Sequence, residues 1–198
     1  SVFDFLANHL TSLEPTIRSS GETVLPNVYC GILTVMLVPL YIFCDKIKAK
    51  ERAANIILLA VFFIGFNLNY ANYILHAFHF PNDLPFRFSF LYSFLLITMA
   101  FKALVHIRSF STKALLGAGV GTILFAVLVQ KLGMANASDE SIYLSIAFAA
   151  VYTVVLGLMK KKNYAQSAVS LLLMCCVFAE VAVCDTNHFV MSQQKPNF

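Results

Sequence analysis

The chain has 198 residues, of which 59% are hydrophobic and 12% charged, and its mean hydropathy is +0.76. A soluble domain of this length would be about a quarter charged, so the water-soluble classes are excluded and an integral membrane protein is expected. The net charge of +4 comes from short clusters beside apolar runs, which excludes nucleic acid as a partner and points to membrane topology signals.

The opening stretch, residues 1–26, is mixed, with Phe3, Phe5, Leu6 and Leu10 at helical spacing. It predicts a short interfacial or extramembrane helix followed by a polar loop. No charged n-region with a short apolar core and cleavage site opens the chain, and it lacks an initiating Met; a piece of a longer protein is therefore expected. Six apolar runs follow, at about 27–44, 54–75, 88–106, 114–130, 141–159 and 165–184. Each is close to the length that crosses about 30 Å of hydrocarbon at 1.5 Å per residue. The fold class expected is all-α: a polytopic transmembrane bundle over 27–184, with 185–198 as a tail.

Pro39 should kink the first span. Gly117 and Gly121, with Gly119 between them, form a GxxxG that would let the fourth span approach a neighbour; the run lacks the lysine and setting of a P-loop. Cys30, Cys44, Cys175, Cys176 and Cys184 fall mostly inside apolar runs without CxxC spacing and read as packing residues. The tripeptide Asn136 to Ser138 matches a glycosylation acceptor, a short pattern of little weight.

Basic residues fix the orientation. Lys46, Lys48, Lys50 and Arg52 fall in the first connection, Lys102, Arg108 and Lys113 around the third, and Lys160, Lys161 and Lys162 in the fifth. These are ten of the fourteen Lys and Arg. The positive-inside rule places those connections in the cytoplasm and both ends of the chain outside it.

The polar chemistry concentrates near the predicted outer surface. Asn69, Asn72, Tyr73 and His76 recur at i, i+3, i+4 and i+7, giving the second span one polar face. Such side chains should avoid lipid, either by bonding between helices or by lining a wet cavity. His76 and His79 sit three apart, a spacing that can place two imidazoles on one metal, but a site needs three or four ligands and Asp83 is the only other candidate nearby, so no metal or other cofactor is expected. A neutral histidine can instead act as general base or donate to a phosphate. Pro81 and Pro85 break the helix. Arg87 follows, placed either to hold a phosphate or carboxylate bidentately or to snorkel at the interface. Ser89, Tyr92 and Ser93 continue a polar face into the third span. In the sixth span Glu180, about one turn from the outer end, is an intramembrane carboxylate whose expected partner is Arg87; the alternative is contact with interfacial water.

Two blocks, "LPNVYCGILTVMLVPLYIF" (25–43) and "HAFHFPNDLPFRFSFLYSFLL" (76–96), resemble the YfhO family of bacterial multipass membrane proteins. The resemblance covers most of the chain and is tightest over 21–104. It implies a helical bundle of the GT-C glycosyltransferase type in a bacterial cell membrane. Such proteins move a sugar from a polyprenyl-phosphate carrier onto a polymer outside the cytoplasm, here a cell-wall or lipoteichoic-acid polymer of Gram-positive bacteria. Enzymes of this fold keep a catalytic acid in their first extracytoplasmic loop. Asp4, Glu14 and Glu22 stand in no motif that matches it, so the catalytic residue is expected upstream, and family members also extend beyond Phe198.

The leading expectation is thus a segment of a membrane glycosyltransferase. His76, His79 and Asp83 are its catalytic candidates, and Arg87, Asn69, Asn72, Tyr73 and Glu180 its candidates for binding substrate or phosphate. Its partners would be membrane lipid, the lipid-linked sugar and the polymer acceptor. The rivals are a transporter or flippase-like bundle for a lipid or small anion, and a non-catalytic assembly partner. Polar residues at the outer ends, over almost purely apolar cytoplasmic halves, suit a one-sided enzyme better than a through-path.

Overall fold

The computed structural model describes residues 2–11, 25–75, 78, 86–132, 138–161 and 165–193, without the side chains of Val2, Phe3, Asn69 and residues 185–193. Among the described residues every regular element is helical. The order is α1 (Val2–Ala7), α2 (Ile32–Ile42), α3 (Ala49–Asn67), α4 (Asn69–Leu75) and α5 (Ser89–Val105). A 3₁₀ turn (Ile107–Ser109), α6 (Thr112–Lys131), α7 (Asp139–Lys160) and α8 (Gln166–Gln193) complete it.

Among the described residues three helices are long and apolar enough to cross a membrane: α6, α7 and the stretch Gln166–Cys184 of α8. Their outer faces carry Leu116, Val120, Leu124 and Leu128 on α6, Val151 and Val154 on α7, and Phe178 and Val181 on α8, all exposed. Water would not tolerate that much bare hydrocarbon, whereas lipid does. The protein is therefore a helical membrane bundle. Serine side chains set the starts of α6 and α7: Ser111 Oγ accepts from Ala114 N–H, and Ser138 Oγ from Ser141 N–H.

The shortest of the apolar helices is central. α2 packs against α5, α6 and α7, and Ile32, Met36, Leu37 and Tyr41 on it are almost wholly buried. Its 11 residues rise only about 16 Å, half a bilayer. Here the structure departs from the expected span at 27–44. Residues 25–31 are non-helical, yet Pro26 and Val28 are buried. Non-helical backbone at that depth needs internal partners, and side chains supply them. Asn8 Nδ2 donates to Pro26 O (3.0 Å), Ser93 Oγ to Val28 O (3.4 Å) and Thr34 Oγ1 to Cys30 O (2.8 Å).

The second run is also divided. α3 ends at Asn67, Leu68 is extended (φ −117°, ψ 120°), and α4 packs back on α3. Asn67 Nδ2 donates to Phe63 O at 2.8 Å, one of the local bonds by which asparagine competes with helix continuation. At the other end of the chain, α8 continues to Gln193, through residues expected to form a tail.

The basic connections gather at one end of the bundle. Arg52 Nη1 donates to Ile42 O at 3.0 Å, Lys160 Nζ to Thr112 Oγ1 at 3.1 Å, and Lys102 pairs with Glu51. α1 and the turn after it dock at the opposite end. There Phe5 packs on Phe63, Phe66 and Tyr92, and Thr11 bonds to Ser141 and Ser145 of α7.

The glycine pair behaves differently from its motif. A Cβ on Gly117 or Gly121 would meet nothing within 4 Å, so neither carries a close helix approach; Gly119 does, because a Cβ there would collide with the Thr153 side chain of α7. Gly119→Ala is expected to destabilise the bundle by about 1–3 kcal/mol through overpacking. Gly117→Ala should be neutral or mildly stabilising, since alanine is the better helix former. Thermal unfolding in detergent checks both, and equal effects would place the contact elsewhere. All five cysteines are free, with Cys44 and Cys184 buried, as packing residues should be.

Candidate functional site at the outer end and its buried carboxylate

The candidate residues do not form one cluster. His76, His79 and Asp83 lie outside the described residues, as does the Asn69 side chain. Asn72 and Tyr73 are half-buried on α4, and the Tyr73 ring meets Phe78 edge-on at 5.9 Å. Arg87 is exposed in the turn before α5, at the end of the bundle opposite the basic connections. Its neighbours fix it there. Phe88 stacks on Phe66 (centroids 4.8 Å, 17°), and Phe86 meets Phe66 edge-on at 5.8 Å. Two anchored rings thus hold a guanidinium outward, where its planar fork can receive an anion.

Glu180 is not Arg87's partner. Only 3% exposed, its carboxylate is occupied by three donors from other elements. Oε1 accepts from Tyr29 Oη at 2.5 Å and from Ile32 N–H at 2.7 Å, and Oε2 from Tyr152 Oη at 2.5 Å. Ile32 N–H is a first-turn donor of α2, one that the helix itself cannot satisfy. Glu180 therefore caps α2 from across the bundle, with its negative charge at the positive end of the helix dipole. Gly31 makes this possible. It turns the chain at φ 94°, a left-handed conformation that strains other residues, and the site of its missing Cβ lies 3.7 Å from Oε2. Cys184 Sγ lies 3.5 Å from Tyr29 Oη, closing the cluster. The expectation of interfacial water at Glu180 fails with the expected ion pair: α8 continues well past it, and the surrounding helices cover it.

A second polar node escaped sequence reading. His9 is buried, with Nδ1 3.1 Å from Leu6 O and Nε2 2.9 Å from Tyr92 Oη. A carbonyl only accepts, so Nδ1 carries the proton, and Nε2 then accepts from the Tyr92 hydroxyl. That assignment requires a neutral imidazole, which burial sets rather than the two bonds, since an imidazolium could donate at both nitrogens. Burial, only partly opposed by the bonds to backbone, pushes its pKa down to about 4. A depressed histidine pKa gives stability that is complete above the unfolded value near 6.5 and is lost as pH falls towards 4. The loss over that window is expected to be about 3 kcal/mol. Unfolding followed at pH 7, 5.5 and 4.5 in the native chain and in His9→Gln checks it. Identical pH slopes in the two would contradict the role of His9. Nothing in the residues around position 9 marked it, because its partner is 83 residues away.

Among the described residues no group of three or more His, Cys, Asp or Glu is placed to hold a metal. The family model described as "Bacterial membrane protein YfhO" matches residues 1–197. No curated protein and no solved structure matches the chain.

Proposed function

The chain belongs to the YfhO family of bacterial membrane proteins, and on that premise we propose that it is part of a membrane glycosyltransferase. The enzyme moves a sugar from a polyprenyl-phosphate carrier to a cell-wall or lipoteichoic-acid polymer on the extracytoplasmic face. The observation that carries this reading is the exposed Arg87 at the end of the bundle opposite the basic connections. In this orientation the basic end is cytoplasmic and both ends of the chain are extracytoplasmic. Arg87 neutralises the carrier phosphate as it departs, an electrostatic role that grows as the glycosidic bond breaks. His76, His79 and Asp83, in the same connection, handle the acceptor hydroxyl, with one of the histidines orienting it or the phosphate. Asn72 and Tyr73 extend the polar surface along α4. Glu180, enclosed by its own donors, shapes the bundle instead of touching substrate.

The half-length α2 favours a second reading, since transporters place broken helices with their termini at mid-membrane. Against it, the carboxylate at that terminus already receives three donors, leaving little for a passing ion. A single preparation separates the two readings. The complete protein, reconstituted in vesicles with a radiolabelled polyprenyl-phosphate sugar and polymer, should give labelled polymer. Movement of the lipid or of a small anion across the bilayer without labelled polymer would favour the transporter.

A further inference from the structure

Between α1, α2, α3, α5 and α6 lies a cavity of 430 Å³, inside the roughly 300–1,000 Å³ range of small-molecule sites. Its wall is apolar, with Val35, Val38, Leu59, Leu96 and Phe125 contributing. The two threonines in it, Thr34 and Thr122, donate their hydroxyls to Cys30 O and Ala118 O one turn back on the chain. Those hydroxyls are engaged locally. The remaining polar side chains among the described lining residues, His9 and Tyr92, are bonded to each other.

We propose that this cavity holds one acyl chain of a bilayer phospholipid, taken by its tail. Three observations fix the occupant. The rim residues Pro39, Gly117 and Gly121 are exposed and continuous with the lipid-facing row Leu116, Val120 and Leu124 of α6, so the opening faces hydrocarbon rather than water. Gly117 and Gly121 carry no side chain to close it, and a Cβ on either would meet nothing within 4 Å. Among the described residues no cationic side chain lines the cavity, and its histidine is neutral, so nothing in that wall recognises a phosphate. A carrier lipid selected by its phosphate needs a charged partner, which Arg87 supplies outside this lining. The cavity is thus distinct from the donor site proposed above and does not depend on it. Its water-averse lining is filled by the most abundant hydrocarbon at its door.

The test uses the complete protein in nanodiscs of phosphatidylcholine bearing a photoactivatable diazirine midway along one acyl chain, with adducts mapped by peptide mass spectrometry. Adducts are expected on cavity residues of α2 and α6, such as Val35 and Phe125, in addition to Leu124 on the outer face. Gly121→Phe should remove most of the cavity adducts, leave those on Leu124, and leave thermal stability unchanged or raised. Gly117→Leu repeats the test from the neighbouring turn if Gly121→Phe does not fold. Absence of cavity adducts in the native protein, or their persistence in both folded variants, would overturn the proposal. In a competition arm, equimolar polyprenyl phosphate is expected to leave the cavity adducts unchanged. Their loss would show a carrier chain as the occupant and overturn the assignment to phospholipid, while loss of sugar transfer alone would bear only on the catalytic reading.

Discussion

Glu180→Ala is expected to lower the stability of the bundle by about 3 kcal/mol, the largest single-residue effect we anticipate in the membrane-spanning part. The carboxylate accepts from Tyr29, Tyr152 and the first turn of α2, and its removal takes the acceptor from two buried donors and one half-buried donor at once. Each orphaned donor costs about 1–3 kcal/mol, while release of the carboxylate's own desolvation works in the opposite direction by several kcal/mol. The void left by a truncated side chain adds to the loss, so the net is destabilising. Glu180→Gln keeps one acceptor oxygen and should fall in between. Unfolding in detergent gives the ordering, and two native thiols report the cause. Cys30 adjoins Gly31, and Cys184 lies against Tyr29. Both should label faster with a membrane-permeant maleimide in Glu180→Ala than in the native chain. Native stability and native labelling in Glu180→Ala would show that the carboxylate does not hold residues 25–31 in place.

The second large effect is on activity. Arg87→Ala in the full-length protein should reduce sugar transfer by roughly 100-fold or more, the scale seen when a group stabilising transition-state charge is removed. The amount of folded protein in the membrane should barely change, because the exposed guanidinium contributes little to packing while Phe86 and Phe88 anchor the turn. Arg87→Lys should recover part of the rate, since it restores the charge without the planar fork. Normal transfer by Arg87→Ala would remove the arginine from the mechanism. Loss of transfer together with loss of protein would mean that the side chain serves folding.

The helical membrane bundle was legible because composition alone demands it: with 12% charged residues, no soluble core accounts for this chain. Individual helices were less legible. The run 27–44 has the length and apolarity of a span, yet helix begins only at Ile32, because Gly31 turns the chain and a carboxylate about 150 residues away receives the first turn. Glu180 stood out as an ionisable residue in an apolar run. Its partners did not, since buried tyrosines look like any others until the fold brings them together. The search for an opposite charge led to Arg87, when phenols and a helix terminus were the answer. The glycine motif marked the helix that makes a close approach but not the glycine that makes it, for a related reason. Spacing shows which glycines share a helix face but not which face meets a neighbour, and rotation of α6 gave the contact to Gly119. His9 lies in a short mixed stretch where a histidine attracts no notice, yet it is buried against Tyr92 at the outer end.

The central claim is that this bundle serves sugar transfer at one face of the membrane. Right-side-out and inside-out vesicles containing the full-length protein, each supplied with polyprenyl-phosphate-linked sugar in the bilayer and polymer acceptor only in the external medium, test it directly. Labelled polymer is expected from the right-side-out vesicles alone and should be lost in Arg87→Ala. Equal labelling from intact vesicles of both orientations, or labelling from the inside-out vesicles alone, would contradict the account.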